Sequence, residues 1–276
     1  MSKLAEREEE VGRYYDEVIF DAEVTRLETL FPVEYAITAR HLERWIPEGS
    51  TVAEIGVGGG LYSELLAKRG CRLHLVDVSE KLLGAATERL RAGGFDSQII
   101  GVDHASATNL DCLGTATFDA ALMLGPLYHL LALTDRQRAV AETAQALKDG
   151  GVLIAAGINR LDYLRDLFRE TPQRVLMRRD FIQQFLRDGN LNPEIAPPIG
   201  HSHTTTVAEF RELFADDFEE LTLVAVESFA SPWQTILNQL PKAEAEAWLD
   251  LIEQTGTMLE AFGLADHFLY VGKVGV

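Results

Sequence analysis

Cysteine is nearly absent: Cys71 and Cys112 are the only two in 276 residues, too few for a disulfide framework and without the spacing of a metal site. That usage suits a reducing compartment, and the cytoplasm is the expected location. Basic residues are also scarce, with 25 Lys and Arg against 43 Asp and Glu and a formal charge of -18. So acidic a chain repels phosphate backbones and anionic lipid at long range, so neither nucleic acid nor a membrane is expected as a partner. The short basic cluster at 174–179 reads as a solvated helix face. No apolar stretch is long enough to span a bilayer, and residues 1–10 are acidic and polar where an export signal has a basic start and an apolar run. What the chain does have is apolar content: 47% of its residues are hydrophobic, enough for one large α/β domain or two small ones.

From about residue 50 onward, short β-branched runs alternate with amphipathic segments, the pattern of a parallel sheet flanked by helices. Strands are expected at 51–56, 72–77, 98–102, 118–124, 151–156, 221–226 and 267–274. Ser79 is placed to cap a helix whose stripe is Leu82, Leu83, Ala86 and Leu90, with Gly93 and Gly94 after it. Thr134 with Gln137, and Thr206 with Glu209, have capping-box spacing, and Gly150 with Gly151 is expected to stop the first of those two helices. Before residue 50, Pro32 suits a first helical turn, and Val33, Ala36, Ile37 and Trp45 form an apolar stripe. Four parts follow: a helical N-terminal cap at 1–49, an α/β core at 50–158, a lid or substrate-facing insertion at 159–205, and the rest of the core at 206–276. The insertion is marked by charged, helix-like sequence ending in Asn192-Pro193 and Pro197-Pro198.

Within the core, Glu54-Ile55-Gly56-Val57-Gly58-Gly59-Gly60 carries a strand through glycines into Leu61, Leu65 and Leu66 of a helix. Glycines there let a ligand approach the backbone and permit positive φ, although a tight turn without a ligand has the same look. The acidic residue on the next strand favours the ligand, because Asp77 ends that strand about 20 residues on, where a carboxylate accepts from both hydroxyls of a ribose. Dinucleotide binding wants glycine at the first, third and sixth positions of the turn, and the sixth is Leu61. That residue disfavours a nicotinamide-dependent oxidoreductase, and the lysine of a triphosphate loop is absent as well.

From Tyr14 to Val274 the chain resembles a class I S-adenosylmethionine-dependent methyltransferase. The resemblance is carried by Glu54 with Gly56, Gly58 and Gly60, by Asp77, by a Tyr14-Tyr15-Asp16 start, and by Gly125-Pro126-Leu127-Tyr128-His129. It implies a doubly wound, mostly parallel, seven-stranded Rossmann-like sheet with an antiparallel last strand. It also implies S-adenosyl-L-methionine as cofactor and S-adenosyl-L-homocysteine as product. Glu54 and the glycines would lie near the methionine moiety, Asp77 on the ribose with Val78 beside it, and Leu124 near the sulfonium, with Tyr15 closing over the cofactor. Many relatives have an Asp-Ala pair after the third strand where this chain has Ser106 and Ala107. Ser106 keeps one hydrogen bond for the adenine, and Asp103 is a nearby substitute.

The methyl group of such a cofactor is activated by its positive sulfur, so transfer mainly needs a nucleophile held close and in line. A hydroxyl or protonated amine gains from a base, for which histidine is suited, whereas a carboxylate needs none. His129 lies just past the fourth strand's carboxyl end, where open sheets bind ligands, and is the candidate base, with Tyr128 lining the methyl site. A histidine satisfied by a backbone carbonyl beside a loop-shaping tyrosine fits the same residues. Arg26 is a candidate partner for an anionic acceptor or the cofactor carboxylate, in competition with ion pairs to Glu23 or Glu28. His201 and His203 alternate and would face one way on a strand; His201 is taken as a substrate contact, and no metal is expected because no further ligand has convincing spacing. Phe168, Phe181, Phe185 and Trp233 serve either an acceptor pocket or the core. The expected function is methyl transfer to a small-molecule hydroxyl, ahead of an amine. A noncatalytic S-adenosylmethionine-binding protein would carry the same motifs.

Overall fold

A computed structural model describes residues 3–191 and 201–275; the Asn192-Pro193 and Pro197-Pro198 pairs lie outside them. Five strands, β1 (Thr51–Ile55), β2 (Arg72–Asp77), β3 (Ile99–His104), β4 (Phe118–Met123) and β5 (Leu147–Asn159), are parallel neighbours in the order β3-β2-β1-β4-β5. Two short strands follow, β6 (Asn190–Leu191) and β7 (Ser202–Thr205), and then β8 (Phe218–Ala225) and β9 (His267–Val274). β9 runs antiparallel between β5 and β8, which gives the seven-stranded core with an antiparallel last strand that the resemblance implied, and β7 and β6 extend the sheet to nine strands.

Every residue of β1 is buried because helices cover both faces of the sheet. Alternate residues feed alternate layers: Val52, Leu75 and Leu269 join one, Ala53, Val76 and Phe268 the other. The chain opens with α1 (Lys3–Tyr14), a π-helical turn (Tyr15–Ile19), α2 (Phe20–Thr29) and α3 (Pro32–Trp45), which takes Pro32 at its first turn. In the layer with Val52, Ile37 of α3 packs with Leu66 of α4 (Leu61–Lys68) and Leu90 of α5 (Glu80–Ala92). Ser79 caps α5 by accepting from Leu82 N at 3.0 Å. The opposite layer is built on α6 (Leu133–Ala146), whose Val140 packs with Phe118 and Phe214.

The boundaries of α6 differ from the expected ones at both ends. Its N-cap is Ala132 and no side chain caps it, so Thr134 already lies inside the helix. At the other end Leu147, rather than Gly151, starts the strand, because it is buried opposite Phe118 of β4. The ladder then bulges and resumes at Val152 opposite Ala120, which places Gly150, at φ +73, in the irregular stretch.

The segment after β5 folds into α7 (Arg160–Glu170) and α8 (Arg179–Asp188), and β6 pairs with β7. Since β9 occupies one edge of β5, β7 takes the other beyond the end of β4, pairing Ile158 with Thr204 and packing against the turn at Pro126–His129. Phe185 and Phe181 form a small cluster with Tyr163 and Leu191, whereas Phe168 and Trp233 face solvent. Thr206 and Glu209 do form a capping box, at the start of α9 (Val207–Glu212). α10 (Lys242–Thr255) completes the helices, and among the described residues no helix is long and apolar enough to cross a membrane.

Candidate active site

Leaving β1, the chain turns over Gly56, Gly58 and Gly60, all at positive φ. A Cβ on Gly60 would lie 2.7 Å from Ala86 Cα, so α4 can start against α5 only without a side chain there. Asp77, at the end of β2, is buried and pinned by two backbone donors: Ser79 N reaches Oδ1 at 2.8 Å and Gly58 N reaches Oδ2 at 3.1 Å. Burial pushes its pKa up to about 6. Glu54, also buried, accepts the Ser63 hydroxyl, and burial raises its pKa to about 8.

The N-terminal helices close over this floor. Gly12 of α1 sits so near the end of β2 that a Cβ would lie 2.6 Å from Val78 O. Asp16, in the π-helical turn, accepts from the Ser79 hydroxyl and from Lys81 N. Glu8 accepts from both the Ser106 and Thr108 hydroxyls. Between floor and roof lies a pocket whose empty space, part of it open solvent, is about 1170 Å³. Every residue assigned to the cofactor from sequence lines it: Tyr15, Glu54, Gly56, Gly58, Gly60, Asp77, Val78, Ser106, Ala107 and Leu124. Asp103 does not, because its carboxylate is held by His74 at 2.6 Å.

Tyr128, His129 and Arg26 line the same pocket. His129 Nδ1 lies 3.1 Å from the His201 carbonyl and must carry the proton to donate there. Its Nε2 is then the acceptor for the Tyr15 hydroxyl at 2.8 Å. Burial pushes the His129 pKa down to about 4, so the ring is neutral at physiological pH, and burial also raises the pKa of the Tyr15 and Tyr128 phenols. A backbone carbonyl thus satisfies one nitrogen of His129 and the Tyr15 hydroxyl the other, and both His129 and Tyr15 line the pocket. Tyr128 packs edge-on against the imidazole with ring centroids 4.9 Å apart.

His201 is not among the pocket's lining residues; its carbonyl orients His129, and its ring meets Glu10 at 2.9 Å. His203 turns to Asn190 instead. Arg26 is held by Glu23 and Glu34, each at 3.1 Å, rather than by Glu28, so its anionic partners come from the chain itself. Two sets of ligand-type side chains converge among the described residues, His74 with Asp103 and Cys112, and Glu34 with Glu227 and His267. Neither includes His201 or His203.

Residues 53–155 match the family model described as a methyltransferase domain. They form a class I methyltransferase domain. Over 113 residues the chain is 34% identical to a ubiquinone biosynthesis O-methyltransferase of Caulobacter vibrioides, covering 41% of this chain and 42% of that protein. The chain thus spans less than half the length of that curated relative. Among solved structures, a S-adenosylmethionine-dependent methyltransferase from Methanosarcina mazei superposes with a TM-score of 0.57 at 19% identity, covering 86% of this chain and 97% of the other. The N-methyltransferase NodS from Bradyrhizobium japonicum, in complex with S-adenosylhomocysteine, gives 0.54 at 16% identity over 92% and 95%; at these identities the likeness is one of fold. The residues present fit S-adenosylmethionine: a buried carboxylate, Asp77, ends β2 beside a glycine turn without side chains, and both line one pocket.

Sequence reading missed Glu8 as a residue of the pocket, and missed that Gly12 and Asp16 seat the N-terminal segment against Val78, Ser79 and Lys81. Glu8 sits in the acidic run Glu8-Glu9-Glu10, where nothing local distinguishes one carboxylate from the next.

Proposed function

We propose that the chain transfers a methyl group from S-adenosylmethionine to a hydroxyl of a small molecule in the cytoplasm, with His129 as base and Tyr15 as the group that passes it the proton. The observation that carries this reading is the chain from Tyr15 O–H to His129 Nε2, with Nδ1 committed to the His201 carbonyl. Tyr15 and His129 line both the pocket above the glycine turn and a second cavity beyond it. When bound, S-adenosylmethionine supplies a methyl group made electrophilic by its positive sulfur. An acceptor hydroxyl held beside Tyr15 gives its proton to the phenol oxygen while the phenol proton moves to Nε2. The imidazolium so formed keeps its Nδ1–H on the His201 carbonyl, which favours the charged ring.

Oxygen is favoured over nitrogen by the curated relatives, which are named as O-methyltransferases. The two cysteines, both free, support a reducing compartment. The segment 159–205 and the N-terminal cap are proposed to exclude water from the transfer. The test is His129→Gln assayed with labelled cofactor over hydroxyl, carboxyl and amine compounds, alongside calorimetric binding of S-adenosylhomocysteine. We expect kcat to fall about 100-fold, within the usual range for a general base, while S-adenosylhomocysteine affinity is kept. Unchanged kcat would remove the base role, and failure of wild type to methylate any class would favour a noncatalytic binder.

A further inference from the structure

Beyond Tyr15 and His129 lies the second cavity, open to solvent, with an empty space of about 1690 Å³. Leu30, Phe31, Ile158 and Pro232 give it an apolar lining. Its charged lining includes residues of α7 and Asp266, the residue before β9. Asp162, in the first turn of α7, and Asp266 both line it. Arg165 serves both acids, with Nη2 3.5 Å from Asp162 and hydrogen-bonded to Asp266 Oδ1, so two carboxylates share one guanidinium. Burial, and then the Asp266 charge, push the Asp162 pKa up, the response of a carboxylate that lacks a cation of its own.

The other cations facing this cavity are already matched. Arg169 pairs with Asp166 at 2.7 Å and with Glu170, Arg26 with Glu23 and Glu34, and His267 with Glu227 at 2.6 Å. None is left free for a carboxylate or phosphate on a ligand. The third observation is Ser231, which lines the cavity at 5% exposure and whose Oγ has no hydrogen-bond partner among the described residues. A buried hydroxyl is normally satisfied, so a missing partner points to a polar group supplied from outside.

The geometry points to an acceptor with an apolar, ring-sized body and a protonated amine, the body against Phe31 and Ile158 and the amine on Asp162, Asp266 and Ser231. The ammonium supplies the second positive charge that the carboxylate pair lacks, and an N–H donor for Ser231. The inference rests on the proposed methyltransferase reading only in taking this cavity as the acceptor's.

The test uses three phenols of similar size as probes, titrated by calorimetry into the full chain saturated with S-adenosylhomocysteine: tyramine, para-ethylphenol and para-hydroxyphenylacetate. Tyramine should bind about tenfold tighter than para-ethylphenol, with para-hydroxyphenylacetate weakest, as expected for one partly desolvated charge pair. Asp162→Asn should weaken tyramine about tenfold and leave para-ethylphenol within about twofold, because only the charged contact is removed. Ser231→Ala should weaken tyramine about threefold, the scale of one neutral hydrogen bond, and decides the matter together with the wild-type ranking if Asp162→Asn does not fold. Para-hydroxyphenylacetate binding as well as tyramine, equal losses for charged and neutral probes, or no binding of any probe overturns the assignment. The prior titration separates the two ideas: no S-adenosylhomocysteine binding refutes the methyltransferase reading, whereas bound S-adenosylhomocysteine with no preference for tyramine refutes the acceptor alone.

Discussion

At the scale of single residues, Asp77 is a buried carboxylate of fixed orientation, and we propose that it holds the ribose of the cofactor. Two backbone N–H groups fix its orientation, and its burial raises the pKa to about 6 from the ordinary value of 3.8. Because the shift is upward, it favours the fold below pH 3.8, and that contribution is lost as pH rises through 6. The ionised form is the one that accepts from ribose hydroxyls. S-adenosylhomocysteine affinity should therefore weaken as pH falls from 7.5 to 5, while Glu54, with its pKa near 8, stays largely protonated across most of that range. Asp77→Ala should raise Kd about tenfold, the scale of a lost charge-assisted hydrogen bond, and should flatten the profile. Calorimetry at a series of pH values checks both; a flat wild-type profile, or unchanged affinity in the variant, contradicts the ribose contact.

At the scale of elements, α1 matters because it approaches β2 without a side chain between them. Gly12→Val would place a Cβ against the Val78 carbonyl, 2.6 Å away, where only movement of α1 relieves the clash. We expect S-adenosylhomocysteine to bind at least about tenfold more weakly, while the sheet, which does not depend on this contact, keeps its unfolding transition. Gly84 in α5 has nothing within 4 Å of its Cβ position, so Gly84→Ala should stabilise the chain by about 0.5–1 kcal/mol in urea unfolding. Equal destabilisation by both changes would mean that helical glycines here act through propensity alone. The same contrast explains what could be read from the sequence. Strands β1, β2, β4 and β9 and the caps at Ser79 and Thr206 were legible because each depends on a local pattern. The start of β5 was not, since Leu147 is recruited by Phe118 from a distant strand. The pocket floor, Glu54 to Gly60 and Asp77, was legible as a motif; Glu8, which lines it from α1, was not, because the register of α1 against β2, set where Gly12 meets Val78, has no local mark.

For the whole molecule, a buried ion cluster ties the N-terminal cap to the core. Glu227 accepts from the backbone N–H groups of Asp266 and His267 and, through its other oxygen, from His267 Nδ1 at 2.6 Å. Glu34 of α3 lies 3.8 Å from the same nitrogen and binds Arg26 of α2. Burial alone would lower the His267 pKa, but Glu34 and Glu227 outweigh it and raise it to about 10. The folded pKa thus lies above the unfolded value of 6.5, so the contribution to stability is fully present below pH 6.5 and is lost as pH rises through 10. His267→Gln leaves Glu227 buried without its cation, whereas Glu34 keeps Arg26, so the expected loss at neutral pH is about 3 kcal/mol, the low end for breaking a buried pair. Urea unfolding at pH 7, 8.5 and 10 should show wild-type stability falling across the series. The variant should start lower and lack the part of that fall that comes from His267. Parallel curves for the two proteins would show that His267 is not the charged centre of the cluster, and that the cap is held to the core by packing alone.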